Sequence, residues 1–305
     1  MTTPTETHAG IFARHRARVF GVAYRLTGTV SDAEDVVQET WLRWAGADIA
    51  NIRSAEAWLT TVAGRVGLDH LRRVKARRET YVGPWLPEPL IDVTGDMHQP
   101  TPEDTLSIAD DVSVALLHML ERLKPEERAA FLLHEAFDYD YGELSSLLGK
   151  TEAACRQIVS RAKRRVSEER PRFRADTHEH ERLAVAFADA LKSARPDALL
   201  ACLTPDAVLY SDGGGKAAAA LNPIYTAEHI TRFVFGLAKK FSFPMTPLAV
   251  TINGQRGFAL LYENKLHSLI SAEVHGGLIT TIYLMRNPDK LTRAAKTLGV
   301  EMLES

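Results

Sequence analysis

Leu144-Ser-Ser-Leu-Leu-Gly149 followed by Thr151-Glu-Ala-Ala-Cys-Arg-Gln-Ile-Val-Ser-Arg-Ala-Lys-Arg-Arg-Val166 reads as two helices joined by a tight turn, the second ending in a dense basic cluster. Leu144, Leu147 and Leu148 share one face of the short first helix, Gly149 gives the turn its backbone freedom, and Thr151 is placed to cap the second helix. Along that second helix Cys155, Val159, Ala162 and Val166 recur at helical spacing and point to the core. Glu152, Arg156, Ser160, Lys163 and Arg164 are left outside, in the manner of a helix that offers side chains to a DNA groove.

The rest of the composition limits what can surround this element. A chain of 305 residues with 45% hydrophobic content has room for two or three small domains, each with its own core. The formal net charge is only -2, so attraction to nucleic acid has to come from local patches on a balanced background. Two such patches are visible: Arg65, Arg72, Arg73, Lys75, Arg77 and Arg78, and the run from Arg156 to Arg174. Cys155 and Cys202 are the two cysteines, and neither has a spacing that suits zinc or a disulfide framework, so neither a metal nor a cofactor is expected. There is no leader-like start and no run of about 18 apolar residues, so a cytoplasmic protein without membrane function is expected.

From about Phe12 to Arg78 the pattern is helical. Ser31 and Glu34 form an expected capping box, followed by an apolar stripe of Ala33, Val36, Val37, Thr40, Trp41 and Trp44, with Asp32, Asp35, Gln38, Glu39 and Arg43 on the opposite face. A third helix is expected to start at Ser54 as its cap, to bury Trp58 and to end in the basic run. Five prolines and two glycines between Glu79 and Pro102 predict an extended linker, which fully stretched spans about 80 Å. Thr101-Pro-Glu-Asp104 reads as the start of a second helical domain, and Pro125 with Glu126 and Glu127 as the start of another of its helices. Beyond Pro171 a helix over about Glu179–Lys192 precedes strands over Ala207–Ser211, Leu248–Ile252, Gly257–Tyr262, Ser268–Val274 and Leu278–Met285, with a helix near Ala227–Lys239 among them. That order suggests an α+β domain whose curved antiparallel sheet wraps its helices.

These residues carry a family resemblance. Asp32-Ala-Glu-Asp-Val-Val-Gln-Glu-Thr-Trp-Leu-Arg-Trp44 resembles the core-polymerase-binding helix of bacterial sigma-70-type factors. Ala57-Trp-Leu-Thr-Thr-Val-Ala63 with Asp69-His-Leu-Arg-Arg73 resembles their promoter-melting and −10 region, and residues 123–166 resemble region 4. Having regions 2 and 4 alone, the chain is similar to the extracytoplasmic-function group. Trp85-Leu-Pro-Glu-Pro89, Asp212-Gly-Gly-Gly-Lys216 and Asn287-Pro-Asp-Lys290 narrow this to the SigJ-like subgroup, which carries a fused SnoaL-like domain of the NTF2 fold.

The resemblance implies two all-α domains followed by an α+β NTF2-like cone. Its expected divisions are 10–78 for region 2, 79–102 for the linker, 103–172 for region 4, 177–292 for the SnoaL-like domain and 293–305 for a tail. It implies a transcription initiation factor, not an enzyme, whose partners are core RNA polymerase (β′ clamp and β flap) and promoter DNA. Asp35, Gln38 and Glu39 would meet the β′ clamp; Arg65, Asp69, Arg72 and Arg73, with Asn51 and Arg53 in the preceding loop, would hold the −10 strands. Thr151, Glu152, Arg156, Gln157, Ser160, Arg161 and Arg164 would meet the −35 element, with Glu152, Arg156 and Gln157 as direct readers. Trp85, Leu86, Pro87, Glu88 and Pro89, with Asp212, Gly213, Gly214, Gly215 and Lys216 and with Asn287, Pro288, Asp289 and Lys290, look like parts of one regulatory contact surface through which the C-terminal domain acts in cis. A small-molecule ligand of that domain is also expected, and Tyr210, Asp212 and Glu263 are candidate acid/base groups for the alternative of an NTF2-like isomerase or hydrolase fused to a DNA-binding leader. A ligand-responsive repressor that never meets polymerase is a third alternative. Taken alone, the Asp-Gly-Gly-Gly-Lys stretch reads as a tight turn in preference to a phosphate cradle, because no Walker pattern accompanies it.

Overall fold

The computed structural model describes residues 7–92, 112–169, 177–241 and 245–303. The chain divides into two compact bodies. One holds the described residues 7–79 and 119–169; the other holds 80–92, 112–118, 177–241 and 245–303. The start expected at Thr101, and the linker residues 93–102, lie outside the described residues.

The helical body begins with α1 (His8–Thr27), α2 (Val30–Ala45) and α3 (Ala55–Glu79), with a short 3₁₀ turn at Ile49–Asn51. Gly28 stops α1 in the left-handed conformation, φ 75°, which a glycine adopts without steric cost. Helix α2 then starts two residues earlier than the expected capping box allows: Thr29 is the cap, accepting from the Asp32 amide, and Glu34 is turned toward Arg16 at 2.6 Å. Ser54 does cap α3, accepting from the Ala57 amide at 3.2 Å. Trp44 is fully buried and meets the half-buried Trp58 ring at 5.2 Å, which places Trp58 at the core, as its apolar stripe predicts.

The same body continues through the end of α4 (Val114–Glu121), α5 (Pro125–Phe137), α6 (Tyr141–Leu148) and α7 (Glu152–Glu169). Asp140 and Glu143 exchange cap hydrogen bonds at the start of α6, Gly149 closes it at φ 65°, and Thr151 caps α7. Cys155, Val159, Ala162 and Val166 are buried, as the helical spacing predicts, and Ile158 is buried beside them. Helix α5 packs on α1 and α3. Gly64 leaves room for Leu133, Thr61 hydrogen-bonds Tyr139 at 2.7 Å, and Arg128, 2% exposed, donates to the Arg25 carbonyl and to Glu121. The two helical segments thus form one compact body, where the linker prolines suggested two separate ones.

In the second body, α8 (Thr177–Lys192) and α9 (Pro196–Ala201) precede a sheet. Its strands are β1 (Ile91–Asp92), β2 (Leu203–Asp212), β3 (Ile224–Tyr225), β4 (Thr246–Ile252), β5 (Gln255–Tyr262), β6 (Lys265–His275), β7 (Leu278–Met285) and β8 (Glu301–Met302), in the order β1-β4-β5-β6-β7-β2-β3 with β8 on β6. Helix α10 (Ala227–Phe241) follows β3 and α11 (Pro288–Leu298) follows β7. The antiparallel expectation is corrected in two places: β2 runs parallel to β7, with Leu209 opposite Ile282, and β8 runs parallel to β6. The β4–β7 meander presents its last strand to β2, so β2 joins at that edge in the same direction. Alternate strand residues face opposite sides. Leu209, Ile270, Ile282 and Leu284 pack with α8, α9 and α10, while Val250, Leu269, Tyr283 and Met285 pack with α11, Leu86, Val114 and Ala115. This is the expected α+β architecture. The expected tail boundary at 293 falls inside α11, whose Leu291, Ala294 and Ala295 are core residues.

Two predictions follow from this packing. Arg128→Met removes the buried ion pair with Glu121 and the hydrogen bonds to the Arg25 carbonyl, and should lower the stability of the helical body by about 3 kcal/mol in chemical unfolding. His267 is held at a pKa of about 4, first by burial and then by the Arg286 charge, against an ordinary 6.5. The unfolded chain therefore takes up a proton between pH 6.5 and 4 that the folded chain refuses, so stability is complete above that window and falls as pH drops through it. His267→Gln should flatten that slope by about 1 kcal/mol at pH 5, after discounting for partial exposure.

Candidate nucleic-acid interface and linker clamp

Three surfaces of the helical body carry the candidate recognition residues. On α7, Glu152, Arg156, Gln157, Ser160, Arg161 and Arg164 are all exposed, beside the capping Thr151. Arg156 forms an ion pair with Glu152 at 2.8 Å and lies over the Tyr141 ring at 4.9 Å. Arg165 reaches Glu127 at 2.8 Å and Lys163 reaches Glu135 at 2.8 Å, so part of the basic cluster is tied to α5.

On α3, Arg65, Asp69, Arg72 and Arg73 are exposed on one stripe. Arg72 bridges Asp69 at 3.3 Å and Glu126 of α5 at 2.9 Å; Lys150 lies 3.3 Å from the same Glu126 carboxylate. Burial raises the Glu126 pKa, but the Arg72 and Lys150 hydrogen bonds outweigh it and hold the carboxyl below its usual range. Asn51 and Arg53 are exposed ahead of α3, with Asn51 donating to Asp48 at 2.7 Å.

On α2, Asp35 and Gln38 are exposed and Glu39 is half-exposed, held by Arg43 at 3.0 Å. Leu42 follows one turn later, 58% exposed, and extends this face with a large apolar side chain. The sequence reading missed it. An apolar residue four positions after Gln38 on the polar face was the available signal.

The second body brings the three short motifs together. Asp212 is completely buried and accepts from the Tyr81 hydroxyl at 2.6 Å, the Leu86 amide at 2.8 Å, the Gly214 amide at 3.0 Å and Lys290 Nζ at 2.8 Å. Lys290 Nζ also donates to the Leu86 carbonyl at 2.5 Å and lies over the Trp85 ring at 4.2 Å and the Tyr81 ring at 5.0 Å. One carboxylate and one ammonium thus take both backbone hydrogen-bonding groups of Leu86. Leu86, Pro87, Glu88 and Pro89 are buried in consequence. Asn287 caps α11 through the Asp289 amide and donates to the Tyr81 hydroxyl at 2.7 Å. Burial, followed by the charge and hydrogen bond of Asp212, drives the Tyr81 pKa upward, so the hydroxyl stays protonated and donating.

The Asp-Gly-Gly-Gly-Lys stretch is a turn, as its composition suggests, closed by the Lys216 amide on the Gly213 carbonyl at 3.0 Å. A Cβ at Gly214 would stand 2.3 Å from Asn287 Nδ2, so the second glycine is what lets the loop meet the start of α11. Lys216 pairs with Asp289 at 2.6 Å on the surface beside Pro288, where such pairs contribute little. Tyr81 and His118 were not anticipated. His118 Nδ1 lies 3.2 Å from the Trp85 carbonyl oxygen, and its ring packs on Tyr210 at 4.5 Å and Tyr283 at 5.6 Å.

The candidate acid/base trio does not assemble. Asp212 is committed to its four donors, Tyr210 packs in the aromatic cluster, and Glu263 is exposed in the turn between β5 and β6. Among the described residues no group of three His, Cys, Asp or Glu side chains could hold a metal ion, and no helix is long and apolar enough to cross a membrane.

Exposed basic stripes on α3 and α7 and an exposed polar face on α2 are what these surfaces offer, and comparison with known proteins gives the class. Residues 11–78 match the sigma-70 region 2 family profile and residues 113–166 match the sigma-70 region 4 profile. The extracytoplasmic-function (ECF) RNA polymerase sigma factor SigJ of Mycobacterium tuberculosis is 37% identical over 92% of this chain and 92% of its own, and a probable ECF factor of that organism, SigI, is 30% identical over 93% and 95%. The crystal structure of M. tuberculosis SigJ superposes with a TM-score of 0.73 at 32% identity, covering 93% of this chain and 98% of that one. The chain belongs to the extracytoplasmic-function sigma factors. Members of this family are initiation factors that bind core RNA polymerase and promoter DNA and carry out no covalent chemistry.

The clamp itself is testable. Lys290→Met leaves Asp212 buried without its cation and should cost the second body about 3 kcal/mol, with faster amide exchange concentrated in residues 81–89. Uniform exchange across the sheet instead would show that the pair serves the fold as a whole and not the linker.

Proposed function

We propose that this sigma factor recognises a bipartite promoter through α3 and α7 and is regulated in cis by its C-terminal domain. Asp35, Gln38 and Glu39, with Leu42 beside them, form the polymerase clamp contact; Asn51, Arg53, Arg65, Asp69, Arg72 and Arg73 hold the −10 strands. Thr151, Glu152, Arg156, Gln157, Ser160, Arg161 and Arg164 form the −35 contact in the major groove, and region 4 also meets the β flap. The working divisions are residues 10–78, 79–102 and 103–172, followed by a C-terminal domain from 177 that includes all of α11, and the site of action is the cytoplasm.

The observation that carries the regulatory reading is the capture of Leu86 by Asp212 and Lys290. Residues 80–92 and 112–118 both belong to the C-terminal body, so that body holds both ends of the connection between regions 2 and 4. The −10 and −35 elements lie about 25 base pairs, hence roughly 85 Å, apart along straight duplex. A connection held at both ends reaches less far than a free one, so docking and release alter which promoter geometry the factor can span. Only contacts that differ between docked and released linker can shift that equilibrium, and the Leu86 hydrogen bonds are such contacts. A small-molecule ligand bound by the C-terminal domain would act through the same balance.

Asp35→Arg with Gln38→Ala should abolish capture of core polymerase while the melting curve stays unchanged; retained capture would reject the clamp assignment. Full-length Lys290→Met, assayed by run-off transcription with purified core, should change promoter output at least severalfold. An output equal to wild type at every promoter spacing would reject regulation through the linker.

A further inference from the structure

The −35 reading makes Arg156 a reader of bases, and the surroundings of its guanidinium go further than that reading. The side chain is exposed, yet it is not free to wander: Nη2 is held by Glu152 at 2.8 Å, one helical turn back, while the guanidinium lies over the Tyr141 ring at 4.9 Å. Tyr141 is in turn packed on His134, with ring centroids 4.6 Å apart and planes tilted by 33°. His134 Nδ1 lies 2.7 Å from the Tyr139 carbonyl oxygen, which sets the ring's position. His134 on α5, Tyr141 on α6 and Arg156 on α7 thus form one column that draws on three helices of the region.

We propose that Tyr141 is a positioning residue for −35 recognition: its ring holds Arg156 in the orientation that presents its remaining N–H groups to a guanine edge. The inference rests on the assignment of α7 to the −35 element. Arginine discriminates guanine by a bidentate contact to O6 and N7, which requires the planar fork to arrive in one orientation. An unrestrained surface arginine has many rotamers and loses that freedom on binding; stacking on an aromatic face removes most of it beforehand. Glu152 takes one edge of the fork and so limits the edges left for DNA. Tyr141 is itself half-exposed in the first turn of α6, so its ring can be changed without opening the core.

The test is run-off transcription by holoenzyme made with full-length protein, on promoters carrying a randomised −35 element, with sequence preference read from the products. Arg156→Ala should erase a guanine preference of about tenfold or more at one position. Tyr141→Leu should weaken the preference at that same position by at least about threefold, leaving other −35 positions and the −10 preferences unchanged, and Tyr141→Phe should retain it because the ring is kept. If Arg156→Ala flattens a position and Tyr141→Leu does not, the positioning role is overturned while the −35 assignment stands. Should Arg156→Ala flatten no position, Arg156 is not a reader and the inference falls with it. A uniform loss across all −35 sequences in Tyr141→Leu, together with a shallower salt dependence, would make Tyr141 a phosphate contact instead. Equal loss in Tyr141→Phe and Tyr141→Leu would assign the effect to the hydroxyl and overturn the stack.

Discussion

The C-terminal body is organised around a buried ion pair, Asp212 with Lys290, whose side chains are 0% and 8% exposed. Removing two charges from water is costly, and the cost is offset only when further hydrogen bonds satisfy the remaining lone pairs and protons. Here those bonds come from the linker: the Tyr81 hydroxyl and the Leu86 amide on the carboxylate, the Leu86 carbonyl and two aromatic faces on the ammonium. The pair and the linker therefore require one another. Without the linker, water would have to take these positions at both charges.

Much of this was legible because local rules and tertiary outcome agree. The helix-turn-helix, its Thr151 cap and its buried stripe follow from spacing and capping chemistry alone, and five of the sheet strands follow from β-branched runs bounded by turn residues. The three motifs around Trp85, Asp212 and Asn287 looked like one surface, and they do lie together. Ser31 was misread because Thr29 is an equally good cap two residues earlier, while Glu34, whose spacing suggested a capping box, pairs across helices with Arg16. Local spacing cannot weigh such a long-range partner.

What stayed hidden was set by burial and by pairing between distant segments. Asp212 looked like a candidate acid because carboxylates in α+β folds can be catalytic; only the four donors around it show that its lone pairs are already committed. Tyr81 and His118 had no motif to mark them. The same holds for Arg128, which joins helices of region 2 to helices of region 4 through the Arg25 carbonyl; Arg72, marked for the −10 strands, makes a second such join through Glu126 that its motif did not announce. Leu42 shows the converse case, an apolar residue that its type would bury but its place on the polar face of α2 leaves in solvent.

The order of the clamp's parts along the chain has a consequence for synthesis. Tyr81 and Leu86 leave the ribosome long before Asp212 and Lys290, and Ile91 waits for Ile252 to complete its strand pair. At 5–20 residues per second, roughly ten seconds separate the completion of α7 from the appearance of Lys290. For that interval α1 to α7 are already made while Leu86 lacks the pair of Asp212 and Lys290, so its two side-chain partners are both present only once α11 emerges.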